Sequence, residues 1–424
     1  MSPARWLGSR GRGRPHLGVV LALLGAAGGL AACGPNSNGA TTQVVTASAG
    51  CQGGRIVGVG ASLDLSGAGA AVGQAYLTGL EMGIAKVNRG GGVPGHNSCL
   101  ELLYKDNRGS PAVDSEAMLN LVNAENALAV VGSYAAPSAN GTAYYLHALS
   151  VPVPSFSTND ATFNPKRFPD SFPMTTSVTV QAQVMATFAA KQALSPVAVV
   201  VVHDLTGRQG AAAFSTAATS DGVEVAGRAS VSPSGGGATA ALTTLQADHP
   251  KALVVIDDGD ATPAILAARA KLGWRVPVIA GPQASEVSAV EAAGAGGLAG
   301  VWAVVPSATV RSSGPAAGAA VAFRNQVLAK LGVSQLTGSI IPYAQAYDAI
   351  TMFGSAATGT MDTLSGDLKT FLENANYQGV LASYSYTTGR HTGIAENQLS
   401  VVPVSTLSNG LFTYKLPKKA KHSA

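Results

Sequence analysis

Short, continuously apolar segments alternate with helical patterns along most of this chain. The segments are rich in Val, Ile and Ala, and the clearest is Val-Ala-Val-Val-Val-Val at 197–202. A strand without alternating polar positions is typical of a sheet that helices cover on both faces. The pattern predicts strands at 55–61, 100–105, 128–132, 151–156, 197–202, 223–228, 252–256, 276–280 and 300–304, with two later strands near 381–386 and 398–404.

Helical patterns separate these strands, for example at 73–88, 111–123, 178–193, 262–272 and 316–331. Repetition of strand, helix and strand predicts an α/β fold with doubly wound sheets. Nine early strands exceed one small sheet, so we expect two similar lobes, the first interrupted by the second. Irregular segments at 164–173 and 306–315 mark the changes of lobe. We predict an N-terminal lobe at 55–173 plus 306–379 and a C-terminal lobe at 174–305 plus 380–414.

The first 33 residues have the layout of an export signal. A segment with four arginines precedes an apolar run at 17–30, which is too short for a comfortable transmembrane helix. The tetrad Leu30-Ala31-Ala32-Cys33 resembles a bacterial lipobox, in which the cysteine is lipidated and becomes the first residue of the mature protein. The alternative is an ordinary secretory signal with a chance cysteine. We therefore expect a lipoprotein signal peptide at 1–32, a flexible tether at 33–54, and anchorage of the protein to the cell membrane outside the cytoplasm.

The distribution of charge excludes a nucleic-acid-binding class. The chain has 424 residues, 46% of them hydrophobic and 12% charged, with a formal net charge of +4. Four arginines lie in the signal and four lysines (415, 418, 419 and 421) in a basic tail at 415–424, so 19 basic and 23 acidic residues remain between them. A nucleic-acid-binding protein concentrates basic residues on its folded body. The hydrophobic fraction also excludes a disordered chain.

Two further cysteines, Cys51 and Cys99, precede the strands predicted at 55–61 and 100–105. We expect these two strands to be neighbours in a parallel sheet. In an exported protein this placement predicts a disulfide, and two free buried thiols are the alternative. No nucleophilic cysteine then remains, and the sequence contains neither G-x-S-x-G, H-x-x-x-H nor a P-loop. We expect no enzymatic activity, no metal and no cofactor.

Several short motifs follow one another in a fixed order. They are the loop 63–73, Val87-Asn88 with the glycines of 90–95, Tyr104-Lys105-Asp106-Asn107, Val130-Val131-Gly132-Ser133, Ser157-Thr158-Asn159, Val202-His203-Asp204 and Ala280-Gly281-Pro282. Together, over about 55–390, they resemble the type I periplasmic binding proteins of the leucine/isoleucine/valine-binding family, in a lipoprotein form.

The resemblance implies two Rossmann-like, doubly wound lobes joined by three crossovers, which close by a hinge on a small solute held between them. It implies the solute-binding component of an ABC importer for amino acids, amides or related compounds. The partners are then the small-molecule ligand, a permease, and the membrane through the lipid on Cys33, with no nucleic acid. We expect a monomer.

Family ligand contacts can be transferred only in part, because the sequence departs from the family pattern at three places. Ala136 aligns with a family serine that holds the ligand carboxylate, and Gln209 aligns with a frequent tyrosine. Val72 stands where some members place a tryptophan against the ligand. We therefore predict a ligand other than leucine, isoleucine or valine.

The candidate ligand-binding residues lie in loops that follow strands, where α/β sheets bind ligands. They are Ser66, Tyr134, Ala136, Ser138, Phe156, Ser157, Thr158, Arg208, Gln209, Asp257, Asp258, Asp260 and Gln283.

Four of these residues have a plainer alternative role. Ser138 and Asp260 could cap their helices, Thr158 could stabilise a turn, and Arg208 could be solvated. At least one of the three aspartates is expected to hold a ligand ammonium group, as an acid in this region does in amino-acid receptors.

Two other functions remain open from the sequence. An extracytoplasmic sensor could use the same fold to signal to a partner, and an exported α/β enzyme is the third possibility. A neighbouring permease and ATPase would favour transport, a neighbouring kinase or cyclase would favour sensing, and hydrolysis of an ester or amide would favour the enzyme.

Overall fold

A computed structural model describes residues 41–45, 51, 54–93, 97–132, 146–147, 151–257, 259–311, 315–359, 365–374 and 376–415. The predicted signal peptide, Cys33 and most of the predicted basic tail lie outside these residues. The strands are β1 Gln43–Val45, β2 Arg55–Leu63, β3 Ser98–Asp106, β4 Ala129–Gly132, β5 Val153–Ser155, β6 Ser171–Pro173, β7 Val197–Val202, β8 Val225–Val231, β9 Ala252–Ile256, β10 Val278–Ala280, β11 Val301–Pro306, β12 Asn376–Gln378, β13 Ser383–Thr387, β14 Arg390–His391, β15 Leu399–Pro403, β16 Leu407–Ser408 and β17 Leu411–Phe412.

The helices lie between and after these strands. They are α1 Ala70–Arg89, α2 Pro111–Asn123, α3 Val178–Lys191, α4 Leu205–Ser220, α5 Ala238–Gln246, α6 Ala261–Lys271, α7 Val287–Gly297, α8 Pro315–Leu331, α9 Ile341–Gly359 and α10 Ser365–Leu372. Gly294 interrupts α7 with a positive φ. None of the helices in the described residues is long and apolar enough to cross a membrane.

Two main sheets form the two lobes in the described part of the chain. The first has the order β1-β3-β2-β4-β5-β6, and the second has the order β15-β11-β10-β9-β7-β8. Both are parallel except for one antiparallel edge strand, β1 in the first and β15 in the second. All six residues of β7 are buried, as expected for a strand with helices on both faces. The predicted α/β class with two lobes is confirmed.

The chain passes between the two lobes three times. The first passage follows β6, the second follows β11, and the third precedes β15. Helix α9, from late in the chain, packs along α1 in the first lobe. Gly79 permits this contact, because a Cβ there would overlap the carbonyl oxygen of Tyr343.

A small three-stranded sheet of β12, β13 and β14 lies against α9. The buried carboxylate of Asp348 on α9 accepts hydrogen bonds from the backbone N–H groups of Val380 (2.7 Å) and Leu381 (3.1 Å) and from the hydroxyl of Tyr384 (3.3 Å). Burial raises the pKa of Asp348 from 3.8 to about 7. In the same region, the Nδ1 atom of His391 is hydrogen-bonded to the carbonyl oxygen of Ser171, at 2.6 Å. The structure therefore brings residues near 380–391 into contact with the first lobe.

Several strands differ from the sequence prediction, which did not include the short strands β12, β14, β16 and β17. Strand β1 lies in the segment predicted as a flexible tether and pairs with β3, Gln43 opposite Tyr104. Strand β6 lies in a segment predicted as irregular, and β8 begins and ends a few residues later than predicted. Both β1 and β6 are only three residues long, so neither gives a periodic signal. Cys51 forms a disulfide with Cys99, which lies in β3.

Candidate ligand-binding site

A narrow cavity lies between the two lobes, near the carboxyl ends of their strands. The first lobe lines it with α1, the loop after β5, the crossover after β6 and α9, through Val72, Tyr76, Phe156, Thr158, Thr175, Ile341 and Gln345. The second lobe lines it with the loops after β9 and β10, through Gly259, Asp260, Pro282, Gln283 and Glu286. The cavity volume is about 20 Å³, room for about one water molecule. The lobes are therefore close together in this structure.

An aromatic pair forms the wall on the side of the first lobe. The rings of Tyr76 and Phe156 stack with centroids 4.2 Å apart and planes 8° from parallel. The Tyr76 hydroxyl donates a hydrogen bond to Oε1 of Gln345, at 3.3 Å. Burial, followed by the charge of Glu286, raises the pKa of Tyr76 well above its ordinary value, so the phenol stays neutral. This wall offers an apolar face with a hydroxyl at its end.

Two buried polar atoms in the cavity have no hydrogen-bond partner within the described part of the chain. They are Oγ1 of Thr158, from the first lobe, and Oε1 of Gln283, from the second. Buried polar atoms in native proteins are nearly always hydrogen-bonded, so each exception calls for an explanation. The Thr158 side chain does not serve as the turn or cap that the alternative reading expected. One atom on each lobe is available to a solute between them.

The acidic loop after β9 divides into a structural and a cavity-lining part. The carboxylate of Asp257 accepts hydrogen bonds from the N–H of Gly259 (3.1 Å) and from the N–H (2.7 Å) and hydroxyl (2.8 Å) of Thr262. Asp257 therefore caps α6. Asp260, which occupies the N-cap position, makes no side-chain cap hydrogen bond and lines the cavity instead.

Glu286 gives the cavity a second carboxyl group. It precedes α7 and is partly buried. Loss of hydration raises the pKa of Glu286 from 4.5 to about 8, with further contributions from the charges of Asp260 and Asp257. A cationic group placed beside Glu286 would offset this cost and favour the ionised carboxylate.

Hydrogen bonds from the loop after β5 to α4 join the lobes beside the cavity. Nδ2 of Asn159 donates to the hydroxyl of Thr206 at 3.1 Å, and the N–H of Asp160 donates to Oε1 of Gln209 at 3.4 Å. Gln209, a candidate ligand residue, therefore contacts the opposite lobe in this structure.

The remaining candidates have different positions. Phe156, Thr158, Asp260 and Gln283 line the cavity, whereas Asp257 lies behind it. The hydroxyl of Ser157 accepts a hydrogen bond from the N–H of Asn159.

Ser66 and Arg208 are exposed, and the Ser66 hydroxyl donates to Asp106. Neither residue lines the cavity. Tyr134, Ala136, Ser138 and Asp258 lie outside the described residues, so their predicted roles stay predictions.

Sequence reasoning missed several lining residues: Tyr76, Thr175, Glu286, Ile341 and Gln345. Glu286 could have been found, because it lies in the same post-strand loop as Gln283. Ile341 and Gln345 could not, since α9 gives no local sign that it reaches a cavity formed by α1. Among the described residues, no group of three or more His, Cys, Asp or Glu side chains could hold a metal ion.

Two α/β lobes with a cavity at the carboxyl ends of their strands are typical of proteins that bind small molecules. The chain matches a family model described as "Periplasmic binding protein" over residues 56–410, and it belongs to this family. The resemblance to periplasmic binding proteins that the sequence motifs indicated is thereby confirmed, whereas the lipoprotein form stays a prediction. A comparison with curated proteins gives no significant match.

Solved structures share the fold at low sequence identity. LivJ from Streptococcus pneumoniae, a branched-chain amino acid transporter substrate binding protein in complex with isoleucine, is 20% identical, with a TM-score of 0.67 over 82% of this chain and 99% of that one. A solute binding protein of an ABC transporter from Rhodopseudomonas palustris HaA2, in complex with p-hydroxybenzoic acid, is 16% identical, with a TM-score of 0.72 over 85% of this chain and 96% of that one. Another solute binding protein, from R. palustris BisB5 in complex with 3,4-dihydroxybenzoic acid, is 17% identical, with a TM-score of 0.68 over 78% of this chain and 89% of that one.

Proposed function

We propose that this protein is the solute-binding component of an ABC importer, held at the outer face of the cell membrane by a lipid on Cys33. The observation that carries the proposal is the pair of unpartnered atoms, Oγ1 of Thr158 and Oε1 of Gln283, one on each lobe. A small polar solute, such as an amino acid, an amide or a related compound, would hydrogen-bond to both at once. Family membership and the export signal support the same function.

The proposed mechanism is hinge closure around the solute. Three passages of the chain connect the two lobes within the described residues. A ligand that contacts both lobes stabilises the closed state by its higher affinity for that state. The hydrogen bonds from Asn159 to Thr206 and from Asp160 to Gln209 would form on closure and break on opening. A permease would then recognise the closed, monomeric protein. Binding without catalysis is sufficient for this role.

The first experiment is a thermal-shift screen of the purified protein against amino acids, amides, ureas and small carboxylates. A true ligand raises the melting temperature and lowers the radius of gyration in small-angle X-ray scattering. Gln283→Ala should weaken its binding about tenfold, through loss of a buried hydrogen bond. Thr216→Val, an exposed position on α4, is the matched control and should have no effect. Absence of any solute that closes the lobes would contradict the proposal.

Two further measurements test the membrane anchor and the ligand class. Cys33→Ala should release the protein from the membrane fraction, whereas retention would contradict lipid anchorage. Isothermal titration with leucine, isoleucine and valine should show no binding, because Val72, Ala136 and Gln209 replace family contact residues. Micromolar binding of any of the three would overturn that expectation.

A further inference from the structure

A second cavity lies directly beside the interlobe cavity. It is formed by the start of α1, the start of α7 and the segment 331–343 that leads into α9, and its volume is about 190 Å³. We call it the side chamber. Val72 and Glu286 line both the side chamber and the interlobe cavity. These two side chains are therefore the boundary between the two spaces.

The walls of the side chamber are mainly apolar. Ala75, Val287, Leu336 and Pro342 contribute to them. Leu331 and Val333, which also line the chamber, are 39% and 45% exposed. An engineered apolar cavity of about 150 Å³ is enough to bind benzene, so the chamber is large enough for a short hydrocarbon group. The interlobe cavity, at about 20 Å³, is not.

Val72 is a short side chain on the boundary between the two spaces. An indole at this position would fill part of the boundary. Valine leaves more room at the boundary for a solute than a larger side chain would.

The charge of the two spaces has one sign. Asp260 and Glu286 are their acidic lining residues, and no Lys, Arg or His lines either space within the described residues. Of the two carboxyl groups, only that of Glu286 reaches both spaces. An anionic solute would be repelled there, whereas a protonated amine would be attracted.

We infer that the solute is an aliphatic amine, with its ammonium group beside Glu286 and its hydrocarbon chain in the side chamber. This inference rests on the proposed solute-binding function and names the substrate class. It separates this protein from the R. palustris proteins solved with hydroxybenzoic acids. An ammonium group beside Glu286 also favours the ionised form of this partly buried carboxyl group.

The test is isothermal titration with ethylammonium, n-hexylammonium and hexanoate. Each buried methylene contributes about fourfold in affinity, so n-hexylammonium should bind on the order of 100-fold more tightly than ethylammonium. Hexanoate, the anionic match, should not bind. Glu286→Gln should weaken n-hexylammonium binding about tenfold or more, because the charge is lost while the shape is kept.

Two variants should abolish the preference for the long chain. Val72→Trp fills the boundary, and Thr337→Trp fills the chamber from an exposed loop position whose substitution leaves the core intact. Each should reduce the ratio between the two amines to less than about fivefold. Ser334→Trp, exposed on the same loop but outside the chamber lining, is the control and should keep the ratio. If Val72→Trp does not fold, Thr337→Trp decides the question.

Equal affinity for the two amines, or tighter binding of hexanoate, would overturn the inference. If no amine binds but another solute closes the lobes, the inference fails and the proposed function stands. If no solute at all changes the melting temperature or the scattering, the proposed function fails with it.

Discussion

Replacement of Thr158 by valine should stabilise the protein while it weakens solute binding. The Thr158 hydroxyl is buried with no partner in the described residues. Burial of an unpaired hydroxyl costs about 1–3 kcal/mol, and valine keeps nearly the same shape without it. We therefore expect the free energy of unfolding to rise by about 1 kcal/mol. Affinity for a solute that hydrogen-bonds to this hydroxyl should fall about tenfold.

Thr262→Val is the matched control. Its hydroxyl donates to Asp257 at 2.8 Å, so the substitution leaves a buried carboxylate with one hydrogen bond fewer. The free energy of unfolding should fall by about 1–2 kcal/mol. Urea denaturation followed by circular dichroism measures both variants, and isothermal titration measures binding. If Thr158→Val destabilises the protein as much as Thr262→Val, the Thr158 hydroxyl has a structural partner and the reasoning about the site is refuted.

Three predictions concern the scaffold. Replacement of Cys51 and Cys99 by alanine opens a bridge across 48 residues, and unfolding experiments should show a loss of about 4 kcal/mol; a loss below about 1 kcal/mol would contradict this. Burial raises the pKa of Asp348 to about 7, so the folded protein keeps a proton that the unfolded chain releases. The free energy of unfolding should therefore decrease as the pH rises from 4 to 7. Asp348→Asn should flatten that fall in melting curves recorded across this range, and an unchanged slope would rule out Asp348 as its source. Gly79→Ala should cost about 3 kcal/mol in urea denaturation because the new Cβ overlaps Tyr343, and wild-type stability would disprove the close contact of α1 and α9.

The long, strongly patterned elements could be predicted from the sequence. Strand β7 and helix α2 follow from an unbroken run of apolar residues and from a Ser-Pro helix start, where Ser110 caps α2. Strands β1 and β6 could not, because three residues carry no period and β6 ends in a proline. Strand β1 forms by pairing with β3, which is distant in sequence. Strand β6 forms by pairing with β5, just before the first passage between the lobes. Local pattern therefore predicts elements, and pairing at sheet edges completes them.

The candidate site was predictable where it consists of post-strand loops. Thr158, Asp260 and Gln283 follow strands and line the cavity. The sequence did not reveal which aspartate would cap α6, because Asp257 and Asp260 are both compatible with that role and only the loop geometry selects Asp257. Residues from α9 were beyond sequence reasoning, since their position depends on the packing of two helices from opposite ends of the lobe.

The packing of α9 on α1 also sets the order in which the protein can fold. Helix α1 ends at Arg89, but α9 begins at Ile341, after the chain has produced α3 to α7 and β7 to β11 of the second lobe. The second lobe can therefore complete most of its core from contiguous chain, whereas the face of α1 that carries Gly79 and Gly83 waits for its partner helix. Closure of so long a loop is slow, and an exposed apolar helix face is prone to aggregation. The lobe that starts first therefore keeps an unpacked helix until the chain has passed through most of the other lobe.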